Sequence, residues 1–323
     1  MTEVAVGVVL RADGAVLIGQ RLAGKPYAGW WEFPGGKFEP GEDSAAALAR
    51  ELDEELGIRV LASEPWVVRE HRYPHAHVRL HFRRVVRWDG EVRSREGQAF
   101  VWCQPSAVDV APLLPAAVAP IAWLGLPAEY AISDAGGPGV DVFLDRLDRR
   151  LDAGLPAASR PPLRLLQLRE PALDPSTFET LFRAVADRCR RAGSRLLVSS
   201  RHPTRYWSEA AGLTGGGVHL TSRDLSQLAG AEGRPPLPLV AASCHRADDL
   251  ALAGRLGADF AVLGPVRPTA SHPDASPLGW EGFGRAVATT PVPVYALGGL
   301  DLGDLAQATR HGAHGIAAQR SAW

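Results

Sequence analysis

The strongest constraint on the fold lies in the second part of the chain. From about residue 129, short apolar runs at 130–133, 163–169, 195–199, 217–220, 239–243, 260–263, 292–297 and 315–318 alternate with helical patterns such as 140–153, 176–192 and 246–256. Runs of that length are strand-sized, and a strand followed by a helix returns to a parallel neighbour. Eight such units are the number that closes a (β/α)8 barrel, whose ligand sites lie at the C-terminal ends of the strands. The spacing therefore predicts a parallel TIM barrel over 129–323.

The first third has a different rhythm. Apolar runs at 4–10 and 15–20 flank Asp13-Gly14, a hairpin signal. Residues 44–56 read as a helix stopped by Gly57. Residues 71–87 read as one strand, Asp89-Gly90 as a second hairpin turn, and 100–103 as another short strand. The Pro/Gly/Ala-rich text at 126–129 separates two domains, 1–128 and 129–323, as a length of 323 residues leads one to expect. The fold class is α/β with two domains.

Composition narrows the function. Lys+Arg is 35 against 36 Asp+Glu, so no net field attracts nucleic acid or an anionic membrane. Cys103, Cys189 and Cys244 are too sparse for a disulfide framework and read as buried residues of a reducing, cytoplasmic protein. The N-terminus lacks a signal-peptide pattern. The uncharged stretch 111–128 carries Pro112, Pro115, Pro120 and Pro127 and reads as a loop and short helix rather than a membrane span. The pattern says nothing of oligomeric state.

The chemistry concentrates in Gly36-Lys-Phe-Glu-Pro-Gly-Glu42 and Arg50-Glu51-Leu52-Asp53-Glu54-Glu55-Leu56-Gly57-Ile58. A helix puts Glu51, Glu54 and Glu55 on one face and Leu48, Leu52 and Leu56 on another. Clustered carboxylates repel, and a divalent cation removes the penalty; hard oxygen donors suit Mg2+ or Mn2+. Gly35-Gly36 lets a backbone carbonyl approach the same ion. Glutamates alone more often form a solvated acidic face, but the segment satisfies G-x5-E-x7-R-E-U-x-E-E-x-G-U (U, bulky aliphatic) at every fixed position.

That pattern resembles the Nudix box of the Nudix hydrolases. Trp31-Glu-Phe-Pro-Gly-Gly-Lys37 and Arg95-Glu96-Gly97-Gln98 resemble the MutT branch, which hydrolyses oxidised guanine nucleotides, and the similarity spans about 3–126. The resemblance implies an α/β/α sandwich around a mixed sheet. It also implies Mg2+-dependent (or Mn2+-dependent) hydrolysis of a nucleoside triphosphate to monophosphate and pyrophosphate. By position, Gly36 (carbonyl), Glu51, Glu54, Glu55 and Glu96 would hold the metals. Glu51 or Glu96 would take the proton of the attacking water. Arg50 would orient the carboxylates and Glu42 the loop, while Arg21 and Lys37 would meet substrate. Lys37 is one of only two lysines, with Lys25.

Two features depart from or lie beside that pattern. Ala117 stands where MutT enzymes have the asparagine that reads the oxidised purine. A methyl group cannot hydrogen-bond, which weakens the expectation of strict 8-oxoguanine selectivity. His71, His75, His77 and His81 fall on one face if 71–87 is a single strand. They would then be either a transition-metal cluster or, more simply, a polar strand face.

Within the barrel, Gln167-Leu-Arg-Glu170, Gly217-Val-His-Leu220, Ser243-Cys-His245, 264–271, Ala296-Leu-Gly-Gly299 and Gly315-Ile-Ala-Ala318 are similar to the thiamine monophosphate synthase/TenI family. The resemblance implies a ligand site built from Arg169, Asp224, His245 and the Gly298-Gly299 phosphate cradle. Synthase chemistry is compromised: Pro171 and His272 replace expected lysines, and Ser199-Ser200 replaces an Asn-Asp pair with its metal ligand.

The combined expectation is an 8-oxo-dGTP diphosphatase-like enzyme for nucleotide-pool sanitation. Its partner is a small nucleotide, with no nucleic-acid or membrane partner. The alternatives are hydrolysis of a thiamine-pathway pyrophosphate, and thiamine-phosphate synthase or thiazole tautomerase activity in the barrel.

Overall fold

A computed structural model describes residues 1–152, 160–269 and 276–323. It divides into two compact units, Met1–Leu126 with Thr309–Gly312, and Pro127–Ala308 with Ala313–Trp323.

The first unit contains β1 (Thr2–Val9), β2 (Val16–Gln20), β3 (Trp31–Glu32), β4 (Gly35–Lys37), α1 (Ser44–Leu56), β5 (Arg59–Tyr73), β6 (Ala76–Asp89), β7 (Phe100–Cys103) and α2 (Pro115–Leu124). One sheet has the order β4-β1-β6-β5 and is mixed, since β1 runs parallel to β6 and antiparallel to β4. A smaller antiparallel sheet has the order β3-β2-β7. Side chains alternate across β1. Ala5 and Val9 pack with Leu48, Leu52 and Leu56 of α1. Val4 and Val6 line a small cavity with Ala116 and Ala117 of α2. The result is a sandwich with one helix on each face.

Helix α1 has firm ends. Asp43 accepts hydrogen bonds from the amides of Ala45 and Ala46, both at 2.9 Å, and so caps the N-terminus. Gly57, at φ +69°, closes the C-terminus in the left-handed region.

Three sequence expectations need correction here. Residues 71–87 are not one strand: β5 and β6 form a long hairpin that turns at Pro74-His75, with Tyr73 opposite Ala76. Asp89-Gly90 is therefore no hairpin turn; β6 ends there, and β7 pairs with β2. The turn at Asp13-Gly14 does form, but β1 and β2 enter different sheets and are joined by the Leu10–Val16 bridge.

The second unit is a closed barrel of eight parallel strands, β8 (Glu129–Ile132), β9 (Leu165–Leu168), β10 (Arg195–Ser199), β11 (Gly217–Leu220), β12 (Leu239–Cys244), β13 (Phe260–Leu263), β14 (Val294–Leu297) and β15 (Gly315–Ala318), with β15 pairing back onto β8. Around it run α3 (Val140–Leu151), α4 (Pro175–Ala192), α5 (Thr204–Thr214), α6 (Ser222–Gln227), α7 (Ala247–Leu256), α8 (Gly279–Val287) and α9 (Leu305–Arg310). Aromatic rings fill the interior: Tyr130, Phe260 and Tyr295 pack at centroid separations of 5.1–5.7 Å. One layer nearer the C-terminal ends, Ile132, Gln167, His219, Ser243, Val262, Leu297 and Ala317 line a cavity instead. The three cysteines are buried and unbridged. Among the described residues no helix is long and apolar enough to cross a membrane.

Candidate functional site

Helix α1 brings the box carboxylates together as the 3.6-residue period requires. Arg50 organises them. Its Nε and Nη2 donate to the two carboxylate oxygens of Glu42 at 2.9 and 3.0 Å. Nη1 donates to Glu51 at 3.0 Å and Glu54 at 3.2 Å, and Nη2 also reaches the carbonyl of Lys37 at 2.9 Å. Glu42 in turn accepts from the amide of Glu39 at 2.8 Å, so one guanidinium ties the 37–42 loop to the helix.

Glu55 sits deeper. It accepts from the Gly35 amide at 3.1 Å. Burial pushes its carboxyl up to about 7 despite that bond, and repulsion from Glu51, Glu96 and Glu32 adds to the rise. Glu51 is also raised, first by burial, with Arg50 opposing and Glu54 and Glu96 adding repulsion. A Cβ on Gly36 would lie 2.1 Å from the Glu51 carboxyl carbon, so only glycine leaves the carboxylate its place.

Glu96 reaches the same region because its loop is fastened to the end of α1. The amide of Arg95 donates to the carbonyl of Glu55 at 3.0 Å, and its side chain reaches the carbonyl of Asp53 at 3.0 Å. A Cβ on Gly57 would lie 2.7 Å from Nε of Arg95, so this glycine makes room for Arg95 as well as ending the helix. No local pattern signals that role for Arg95.

Among the described residues no three His, Cys, Asp or Glu side chains stand close enough to hold a metal ion as they are. The donor chemistry nonetheless fits a hard divalent cation. Glu51, Glu55 and Glu96 repel one another across a glycine-walled space, and a dication drawing them together would relieve both repulsion and desolvation. The histidines do not offer a rival site. His71 lies on β5, His75 in the turn, and His77 and His81 on β6. His81 instead meets Glu3 at 2.6 Å, and His77 approaches Glu70 at 3.4 Å. The single strand face on which the four histidines were to line up, as a metal cluster or more simply as a polar face, does not exist.

The remaining residues of this unit separate into two groups. Lys37, at the end of β4, is exposed. Arg21 turns inward on its own loop, donating to the carbonyl of Pro26 at 2.8 Å and to the carboxylate of Glu32. Glu32 is half-buried, and the resulting desolvation raises its carboxyl. It lines a cavity of about 50 Å3 with Phe33, Tyr73 and Ala117. Ala117 presents only its methyl group there, and Glu32 is the charged group of that wall, a residue sequence reasoning passed over.

In the barrel, a cavity of about 600 Å3 opens at the C-terminal ends of the strands. Arg169, His245, Gly298 and Gly299 all line it. Gly298 (φ +110°) and Gly299 (φ +64°) take conformations that other residues resist, and a Cβ on Gly298 would strike Pro265 at 2.7 Å. Nδ1 of His245 lies 3.3 Å from the Gly264 carbonyl. Asp224 departs from the expected set: it lines an adjoining cavity instead. Its carboxylate accepts from the hydroxyls of Ser200 and Thr221, so the serine in the expected metal-ligand position engages it. Pro171 lines that second cavity too, while His272 lies outside the described residues.

Comparison with known proteins gives the same division. The NUDIX domain family model matches residues 1–124 and the thiamine monophosphate synthase model residues 130–322. The chain is 40% identical over 116 residues to a CTP pyrophosphohydrolase of Escherichia coli, covering 36% of this chain and 85% of that protein. It is 39% identical over 114 residues to an 8-oxo-dGTP diphosphatase of Haemophilus influenzae, covering 35% and 84%. It is 32% identical over 225 residues to a thiamine biosynthesis bifunctional protein of Symbiobacterium thermophilum, covering 60% of this chain and 46% of that protein.

Proposed function

Because the chain belongs to the Nudix hydrolases through its N-terminal domain and to the thiamine monophosphate synthase family through its barrel, we propose that it is a Mg2+-dependent nucleoside triphosphate pyrophosphohydrolase with 8-oxo-dGTP as its leading substrate. The observation that carries this is the carboxylate cluster held by Arg50 and walled by Gly36. The Gly36 carbonyl, Glu51, Glu54, Glu55 and Glu96 are the ligands of this reading. A divalent ion held by these groups would supply charge neutralisation for the phosphates and acidify the attacking water. Arg50 holds Glu51 and Glu54 in place. Glu51, lodged against the Gly36 backbone, takes the proton from the attacking water, and Lys37 meets the triphosphate chain. Arg21 acts on substrate indirectly, by fixing Glu32 and the loop before β3.

The names of the relatives support hydrolysis of a triphosphate without choosing its base. Ala117 argues for a broader preference than a strict 8-oxoguanine enzyme, with a cytosine nucleotide the first competitor. Of the two domains, 1–128 carries the chemistry in this reading. The barrel, 129–323, binds an anionic ligand without making thiamine phosphate, since Pro171 and Ser200 replace groups that synthesis needs. The test is a panel of nucleoside triphosphates and thiamine diphosphate with Mg2+, scored separately for pyrophosphate and orthophosphate. Pyrophosphate from 8-oxo-dGTP at the highest kcat/KM supports the reading. A preference for thiamine diphosphate, with orthophosphate released, would move the enzyme to the thiamine pathway.

A further inference from the structure

The proposed hydrolysis gives no task to Lys25, yet this residue stands beside the carboxylate cluster. Its Nζ lies 3.8 Å from Oε2 of Glu96. Of 35 basic residues, Lys25 and Lys37 alone are lysines, and both belong to the hydrolase domain.

The loop that carries Lys25 is fastened on both sides of it by other groups. Arg21 donates from Nε to the carbonyl of Pro26 at 2.8 Å and from Nη1 to Glu32. The Gly29 amide donates to the carbonyl of Arg21 at 2.9 Å, and Nε2 of Gln20 donates to the Gly29 carbonyl at 3.0 Å. Tyr27 takes a φ of +59°, a conformation that a residue with a side chain holds only where its surroundings compensate. Its ring packs against Trp30, Tyr73 and His75 at centroid separations of 5.1, 5.4 and 5.7 Å. The Lys25–Glu96 pair adds little to this frame, because the two side chains are 54% and 43% exposed. The backbone of Lys25 is therefore set in place while its charge is not spent on holding the loop.

What the ammonium faces gives it a use. One neighbour is Glu96, a ligand of the proposed metal. Its field also reaches Glu32, whose carboxyl is raised by desolvation and drawn back by the charges of Arg21 and then Lys25. Glu32 lines the small cavity with Tyr73 and Ala117, the wall read as facing the base. Lys25 thus lies where the base side and the metal side of the site meet. A dication drawing Glu96 toward Glu51 and Glu55 would leave the ammonium beside a like charge and short of its counter-ion. A phosphate oxygen at that junction restores one.

We propose that Lys25 exchanges partners: it neutralises Glu96 in the metal-free chain and, once a metal takes Glu96, binds the phosphate that stays with the nucleoside. This rests on the hydrolase reading of the N-terminal domain. A lysine suits the exchange, as a compact charge on a flexible stem, whereas an arginine would grip the Glu96 carboxylate with two parallel bonds.

Two binding measurements on the full chain test this without turnover. Mn2+ alone, followed by the loss of its free paramagnetic resonance signal, should bind Lys25→Met about threefold more tightly than wild type and Lys25→Arg more weakly. With Mn2+ saturating, calorimetry should show 8-oxo-dGMP and dCMP each binding Lys25→Met about tenfold more weakly, since the phosphate is common to both. Pyrophosphate should bind that variant as it binds wild type. Unchanged Mn2+ affinity in both variants would overturn the exchange. Unchanged monophosphate affinity, or an equal loss for pyrophosphate, would overturn the phosphate contact. A wild type that binds Mn2+ but neither monophosphate would overturn the nucleotide reading and the phosphate contact with it, and the Mn2+ comparison would still judge the exchange. A wild type that binds no Mn2+ would overturn the metal site and the exchange together.

Discussion

Glu55 shows how one residue carries both cost and function. It is a half-buried carboxyl raised to about 7, bonded to the Gly35 amide and surrounded by other acids. Glutamine at that position relieves the repulsion and keeps the shape, so Glu55→Gln should fold normally by circular dichroism. It should lose Mg2+-dependent turnover by about a hundredfold or more, because an amide replaces a charged metal ligand. Near-wild-type turnover would remove Glu55 from the metal site. Ala117 is the complementary case, an absent polar group in the cavity that Glu32 lines. Ala117→Asn should raise the ratio of kcat/KM for 8-oxo-dGTP over dGTP, by about tenfold for one buried hydrogen bond to the base. An unchanged ratio would show that the base is read elsewhere.

Among the elements, α1 and most barrel strands were legible because their signals are local. Helix α1 has an Asp43 cap, a leucine stripe and Gly57, and its bounds come out as expected. Strands β10, β11, β13 and β15 likewise match the apolar runs residue for residue. Strand β5 was not legible. It contains Pro65 and three register irregularities against β6, so its hydrophobic alternation is scrambled, and only its partner identifies it. The one strand face expected to carry the four histidines does not form either, since a turn at Pro74 divides them between β5, the turn and β6. Positions that depend on a fastened loop, such as Arg95 beneath Glu96, have no local signature at all. Strand β11 yields a prediction of its own. His219 has a folded pKa near 3 against an ordinary value near 6.5, so between those values the unfolded chain holds more protons. Stability is therefore full above about pH 6.5 and declines as pH falls toward 3. His202, lowered to about 4 by burial, acts in the same direction. His219→Gln should flatten, without abolishing, the fall in chemical-denaturation midpoint between pH 7 and 4. An unchanged slope would mean His219 is not held neutral.

At the scale of the whole molecule, an intact hydrolase box is joined to a barrel whose synthase groups are altered. The full-length Glu55→Gln chain, given the pyrimidine pyrophosphate, the thiazole phosphate and Mg2+, should form no thiamine phosphate above background. Robust formation would make this a bifunctional enzyme and reverse the ranking of its two domains. The domain that carries the box should instead account for the activity of the chain. The most direct measurement of that claim is product analysis on the wild-type chain with 8-oxo-dGTP while Mg2+ is titrated from zero. The account predicts 8-oxo-dGMP and pyrophosphate in equal amounts, appearing only with the metal. Orthophosphate as the product, or turnover indifferent to Mg2+, would contradict it.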